Sequence, residues 1–128
     1  WLCWGGLNIL RDEMRKGYGA VVALQATPAE KEHGLPDRRF AAVRGSRPGV
    51  PTKPDPAGLY ALMDEIGADR AATLFVGDSD VDILTGHNAR LPAMGALWGF
   101  RGRAELTAAG ADALAAVPED IFTYIKNN

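Results

Sequence analysis

The chain has 128 residues, of which 47% are hydrophobic, and 14 Lys and Arg stand against 16 Asp and Glu, a formal net charge of −2. This length fits one globular domain, and the near-neutral charge argues against a nucleic-acid or membrane-surface protein, because those partners favour a basic excess. No apolar run is long enough to span a bilayer, and we find no secretory signal. The single cysteine, Cys3, fits a reducing compartment, so we expect a cytoplasmic protein.

Helical and extended patterns alternate along the chain. Apolar residues at helical spacing predict helices over residues 6–16, 56–66, 80–89, 103–109 and 118–126, with a short helix from Thr27 to about Gly34. Short apolar runs predict strands over residues 20–24, 40–43, 73–76, 93–98 and 113–116. Such alternation favours parallel strands joined by helical crossovers, so the predicted fold class is α/β, a Rossmann-like parallel sheet with helices on both faces. Without repeats or a composition shift, residues 1–128 are expected to form a single domain.

Two of the helices have identifiable ends. Asp55 can cap the helix that begins at Pro56, and Gly67 can end it, while Leu59, Leu62, Met63 and Ile66 form its apolar face. The closing helix, residues 118–126, is expected to bury Ile121, Phe122 and Ile125.

An acidic string directly follows one of the predicted strands. Residues 77–82 read Gly-Asp-Ser-Asp-Val-Asp, and ligands of parallel sheets bind at the carboxyl ends of the strands. Three carboxylates this close repel one another, so a bound cation is a simple way to hold them together, and carboxylate oxygens suit Mg²⁺. Asp78 and Asp82 are the candidate metal ligands. The competing interpretation is that Asp80 and Asp82 merely favour a helix N-terminus, where negative charge is stabilising.

A lysine stands in a proline-rich loop one helix and one strand earlier. In Lys53-Pro54-Asp55-Pro56 the two prolines restrict the backbone, so the loop can present Lys53 as a compact positive charge to a phosphate oxygen. Loop lysines are usually solvated, and the motif alone means little. The order of lysine loop, helix, strand and acidic loop is typical of a site for phosphate and magnesium.

These residues carry a family resemblance. Lys53-Pro54-Asp55-Pro56 and the string from Val76 to Asp82 resemble the third and fourth motifs of the haloacid dehalogenase-like hydrolases. The later stretches Leu97–Arg101 and 105–112 are similar to the phosphoglycolate phosphatase branch. The resemblance implies a Mg²⁺-dependent phosphatase acting on a small phosphate monoester, a small phosphorylated metabolite. It implies that Lys53 stabilises the phosphoryl group, that Asp78 and Asp82 bind Mg²⁺, and that Ser79 shapes the acidic loop beside the phosphate.

Two family elements have no match in the sequence. The family's nucleophile lies in an Asp-x-Asp-Gly-Thr motif after the first, central strand, and no such string occurs here. Its second motif ends a strand with Ser or Thr, where this chain has Ala23. We therefore expect the C-terminal portion of the hydrolase core, without the first strand and the cap, and inactive alone. Whether the chain is itself an enzyme stays open, because a non-catalytic, phosphate- or partner-binding pseudo-phosphatase fits the same residues.

The expected absence of a central strand also bears on partners. A sheet without it would expose unpaired strand edges, which favours a complementing N-terminal segment or self-association. No nucleic-acid or membrane partner is expected.

Overall fold

The computed structural model describes residues 2–4, 21–24, 40–44, 48–99 and 101–128. Six strands in these ranges form one parallel sheet in the order β3-β2-β1-β4-β5-β6. The strands are β1 (Leu2–Trp4), β2 (Val21–Leu24), β3 (Phe40–Arg44), β4 (Leu74–Gly77), β5 (Ala93–Ala96) and β6 (Ala113–Ala115). The helices are α1 (Ala57–Ile66), α2 (Asp80–Asn88), α3 (Arg103–Ala108) and α4 (Glu119–Asn127), with a 3-10 turn at Arg70–Ala72. The predicted α/β class with a parallel sheet is confirmed.

The centre of the sheet corrects one expectation. We expected the first, central strand to be missing, but Leu2–Trp4 lies between β2 and β4 and pairs in parallel with both. Its register places Trp4 beside Ala23 on one side and Val76 on the other. A three-residue strand is too short to show a period in the sequence, which is why the pattern did not reveal it. The central position is therefore occupied, although no family aspartate motif follows it in the sequence.

Helix α1 follows the predicted pattern. Leu59, Leu62 and Met63 are buried on its apolar face and pack with Phe75 of β4. Asp55 accepts a hydrogen bond from the N–H of Ala57 at 2.8 Å, although Pro56 is the residue at the cap position. Gly67 ends the helix with φ of 66°, a left-handed conformation that glycine adopts without steric cost.

One glycine lets helix α2 lie close to the sheet. A Cβ on Gly86 would stand 2.9 Å from the Cβ of Ala93 and 3.2 Å from that of Phe75. Phe75 and Ala93 are register partners, so their side chains share one face of the sheet, which α2 covers. Ile83 of α2 packs on the same face with Ala93 and Leu106 of α3. This packing fixes the distance between α2 and the end of β4.

Helix α4 differs from its prediction in one residue. Ile121 is fully buried as expected, whereas Ile125 is 45% exposed. The side chain of Phe122 lies outside the described residues, as do the helices predicted over 6–16 and from Thr27. Ile125 is instead part of the lining of a groove of about 380 Å³ between α4 and the start of β4, lined also by Leu74 and Tyr124.

None of the helices in the described ranges is long and apolar enough to cross a bilayer.

A surface carboxylate connects the start of β5 to the turn before β6. Asp112 Oδ2 accepts a hydrogen bond from the N–H of Ala93 at 2.8 Å and lies 2.9 Å from His87 Nε2. Burial raises the pKa of the Asp112 carboxyl, but the Ala93 hydrogen bond, the His87 hydrogen bond and the His87 charge outweigh burial and hold the pKa below its ordinary value. The ionised form of Asp112 is therefore favoured in the folded state.

The lowered pKa predicts a pH-dependent contribution to stability. The stabilisation is complete above the unfolded-state pKa of Asp112 and is lost as the pH falls through the folded-state value. We expect Asp112→Asn to lower the free energy of unfolding at neutral pH by less than about 1 kcal/mol, because solvent screens this partly exposed group. Urea unfolding at decreasing pH should bring the variant and the wild type together. Asp64→Asn on the exposed side of α1 is the control, and a difference that persists in acid would contradict the assignment.

Candidate active site

The acidic string lies where the strand order reverses direction. Strands β2 and β3 extend from β1 on one side, and β4, β5 and β6 extend on the other. At such a switch point the carboxyl ends of the two middle strands diverge and leave a crevice. Strand β4 is buried along its whole length and ends at Gly77, so Asp78 and Ser79 come directly into this crevice.

Ser79 starts helix α2 at the same point. Its hydroxyl oxygen accepts a hydrogen bond from the N–H of Asp82 at 3.3 Å, as expected of an N-cap serine. Asp80 and Asp82 lie in the first turn of the helix, where the N-terminal dipole stabilises negative charge. The interpretation that Asp80 and Asp82 favour a helix N-terminus is therefore correct. It does not exclude a further role for the carboxylates.

Asp82 is the buried centre of the site. Only 3% of the residue is exposed, and its carboxylate accepts hydrogen bonds on both oxygens. Oδ2 accepts from the N–H of Asp78 at 3.0 Å and from the Ser79 hydroxyl at 3.1 Å. Oδ1 lies 2.5 Å from Nζ of Lys53. A carboxylate this deep needs such partners, because an unpaired buried charge is strongly destabilising.

Lys53 reaches Asp82 from a distant part of the chain. The two residues are 29 positions apart, and the Lys53 side chain is 15% exposed against 4% for Asp82. The lysine loop comes directly before α1, and the acidic loop comes directly after β4. The chain runs away from the crevice along α1 and returns along β4, so both loops lie at the same edge of the sheet. The predicted proximity of the lysine and the acidic loop is present in the structure, and the contact is an ion pair at the crevice.

Asp78 lies beside this pair and is half-buried. A Cβ on Gly99 would overlap the Asp78 side chain, so the loop after β5 lies directly against it and leaves no room for a larger residue. The backbone carbonyl of Asp78 also accepts a hydrogen bond from the N–H of Arg101 at 3.0 Å. The loop after β5 therefore fixes both the backbone and the side chain of Asp78.

The chemistry of the two predicted ligands is compatible with magnesium, because Mg²⁺ keeps several waters and needs only one or two carboxylates. Both oxygens of Asp82 already accept hydrogen bonds from protein groups, and one of them faces an ammonium. Within the described ranges no three His, Cys, Asp or Glu side chains gather at a common point. The metal-binding roles of Asp78 and Asp82 and the phosphate-binding roles of Lys53 and Ser79 stay predictions.

Two residues of the site were not predicted as functional. Gly77 was noted only as the first residue of the acidic string, with no role of its own, yet a Cβ there would overlap the Asp82 side chain. Asn88 at the other end of α2 donates a hydrogen bond to the carbonyl of Pro54 at 2.9 Å. A glycine directly before an acidic capping string is a local signal for the first residue. The second is a contact between residues 34 positions apart, which leaves no local pattern.

The closeness of Gly77 to Asp82 predicts a large effect of one methyl group. Gly77→Ala should push the Asp82 carboxylate away from Lys53 and lower the free energy of unfolding by about 1–3 kcal/mol, the usual range for overpacking a buried position. Urea denaturation measures this loss. Gly102→Ala is the matched control, because a Cβ there meets no atom within 4 Å. Equal free energies of unfolding for the two variants would show that the Asp82 side chain does not lie against the backbone of Gly77.

Comparisons with known proteins agree with the geometry. The sequence pattern of the haloacid dehalogenase-like hydrolases matches residues 19–90. A phosphoglycolate phosphatase of Haemophilus influenzae is 36% identical over an alignment of 99 residues that covers 73% of this chain and 42% of that protein. A phosphoglycolate phosphatase of Pasteurella multocida is 36% identical over an alignment of 91 residues that covers 67% of this chain and 40% of that protein. The chain thus spans less than half the length of these relatives.

Solved structures show the same fold. The crystal structure of a predicted phosphoglycolate phosphatase from Haemophilus somnus superposes with a TM-score of 0.72 at 24% identity, over 91% of this chain and 53% of that one. At this identity the likeness establishes the fold alone, whereas the family pattern covers more than half of the chain and includes Lys53, Asp78 and Asp82. The chain belongs to the haloacid dehalogenase-like hydrolase family.

Proposed function

We propose that this chain carries the phosphate- and magnesium-binding part of a phosphatase for small phosphate monoesters. The observation that carries the proposal is the ion pair of Lys53 with the buried Asp82 at the crevice beside β4. A largely buried lysine beside a crevice, held by a carboxylate, is a fixed positive charge, and a fixed charge stabilises a phosphoryl group better than a mobile one. The phosphoglycolate phosphatases among the relatives make phosphoglycolate the first candidate substrate.

Lys53 has the hydrogen-bonding capacity for this role. An ammonium has three donors, and the bond to Asp82 Oδ1 uses one of them. The remaining donors can contact a phosphate oxygen while Asp82 holds the side chain in place. In this proposal Asp82 orients Lys53, and Ser79 holds Asp82 by donating to its Oδ2.

Asp78 is proposed as the direct ligand of Mg²⁺. When bound, the cation would neutralise negative charge on the phosphate oxygens. The loop after β5 keeps the Asp78 carboxylate in the crevice through Gly99 and the Arg101 N–H. The hydrogen bonds of Asp82 favour a water-mediated contact with the cation over direct ligation.

The proposal also takes into account that the sequence lacks the family's nucleophilic aspartate. No Asp-x-Asp-Gly-Thr string occurs in the 128 residues, and Gly5-Gly6 follows the central strand where the family places its nucleophile. Without that carboxylate no covalent aspartyl-phosphate can form, so we propose that residues 1–128 alone bind phosphate without turning over a substrate. A complementing segment that brings the aspartates would make the chain part of an enzyme. If none does, the same residues make a phosphate-binding pseudo-phosphatase.

A binding titration tests the proposal. We expect inorganic phosphate with Mg²⁺ to bind the wild-type chain, as measured by isothermal titration calorimetry. Lys53→Ala should weaken this binding about tenfold or more, because it removes a charge-assisted hydrogen bond of about 1.5–3 kcal/mol. Lys126→Ala is the matched control, because Lys126 is exposed in α4.

A turnover assay with p-nitrophenyl phosphate and Mg²⁺ completes the test. Equal phosphate affinities for Lys53→Ala and Lys126→Ala would contradict the binding role. Hydrolysis by the purified wild-type chain that Asp78→Asn abolishes would contradict the proposed lack of turnover.

A further inference from the structure

Helix α2 contacts the lysine loop at both of its ends. Near its N-terminus, Asp82 accepts a hydrogen bond from Nζ of Lys53. At its C-terminus, the side-chain amide of Asn88 donates to the carbonyl of Pro54 at 2.9 Å. Asp82 and Asn88 are six residues apart, which on an α-helix is about 9 Å. The loop is thus attached at the tip of its lysine and at the backbone next to that lysine.

Asn88 is itself connected to the neighbouring helix. Its backbone carbonyl accepts a hydrogen bond from the Tyr60 hydroxyl at 3.3 Å. Tyr60 belongs to α1, the helix that the lysine loop leads into, and the Arg70 guanidinium lies 5.4 Å from the centre of its ring. Asn88 therefore joins three elements, α1, α2 and the lysine loop, through two hydrogen bonds that involve different atoms of one residue.

We propose that Asn88 is a positioning residue for Lys53. The inference rests on the function proposed above, in which Lys53 contacts a phosphate. A lysine side chain has four rotatable bonds, so the pair with Asp82 fixes its ammonium without fixing the position of its backbone, and the prolines restrict the shape of the loop without attaching it to α2. The Asn88 amide attaches the backbone beside Lys53 to α2, because it holds the carbonyl of the adjacent Pro54. With both ends held, the ammonium keeps one direction toward the crevice.

The loss of one hydrogen bond sets the expected size of the effect of replacing Asn88. The Asn88 hydrogen bond is exposed to solvent, and a single hydrogen bond of this kind changes an equilibrium about fivefold. Asn88 is the last residue of α2, and alanine is a better helix former than asparagine. Asn88→Ala should therefore leave the fold intact while loosening the loop.

The test compares Asn88→Ala with Asn88→Gln, which retains an amide donor, and with the control Asn127→Ala at the exposed end of α4. One readout is the side-chain ammonium signal of Lys53 in ¹⁵N-labelled protein. The chain has four lysines, so Lys53→Arg identifies this signal by its disappearance. The other readout is the affinity for inorganic phosphate with Mg²⁺, and the thermal midpoint serves as the check on folding.

We expect Asn88→Ala to broaden the Lys53 ammonium signal, because a looser pair exposes its protons to exchange with water, and to weaken phosphate binding about fivefold. Asn88→Gln should restore both in part, and Asn127→Ala should change neither. An unchanged Lys53 signal in a folded Asn88→Ala protein would overturn the inference. The signal is read without phosphate, so it judges Asn88 even if the wild-type chain binds no phosphate, which would count against the proposed function alone.

Discussion

A carboxylate on a residue that is only 3% exposed requires charged and hydrogen-bonded partners, and the site is arranged around this requirement at Asp82. The Asp78 N–H, the Ser79 hydroxyl and the Lys53 ammonium supply those partners, and they come from two places in the fold, the turn after β4 and the lysine loop. The same contacts order the turn after β4, start helix α2 and hold the lysine at the crevice. One buried charge therefore accounts for the local structure and for the proposed phosphate site together.

Three glycines around the site allow the close packing that holds Asp82 and Asp78 in place. Gly86 lets α2 approach the sheet, and Gly77 leaves space for the Asp82 side chain above the end of β4. At the other side of the crevice, Gly99 brings the loop after β5 against Asp78. Each of these glycines stands where a methyl group would collide with a neighbour, so the close approach of backbone and side chain at this edge depends on them. The site is confined by backbone on two sides, which favours a fixed geometry over an adaptable one.

Much of the arrangement follows from local sequence patterns. The apolar run before Gly77 predicts β4, the acidic string predicts the start of α2, and the order of lysine loop, helix, strand and acidic loop favours a shared site for the two loops. The structure contains both elements and brings the two loops together, but the ion pair of Lys53 with Asp82 was not predicted. Two features could not be predicted. Leu2–Trp4 is too short to show a period, and its central position depends on pairing with β2 and β4. The contact of Asn88 with Pro54 joins residues 34 positions apart and depends on how α2 lies against the loop.

The central claim is that Asp82 and Lys53 form one energetically coupled unit. A double-mutant cycle measures this directly, with Lys53→Met, Asp82→Asn and the double variant compared with the wild type by urea denaturation. Asp82→Asn combined with Lys126→Met supplies the control for a lysine that lies elsewhere, on α4. We expect a coupling free energy of about 1–3 kcal/mol between Lys53 and Asp82, as for contacting groups in one network, and none for the control pair. Additivity of the Lys53 and Asp82 substitutions to within about 0.5 kcal/mol would contradict the account.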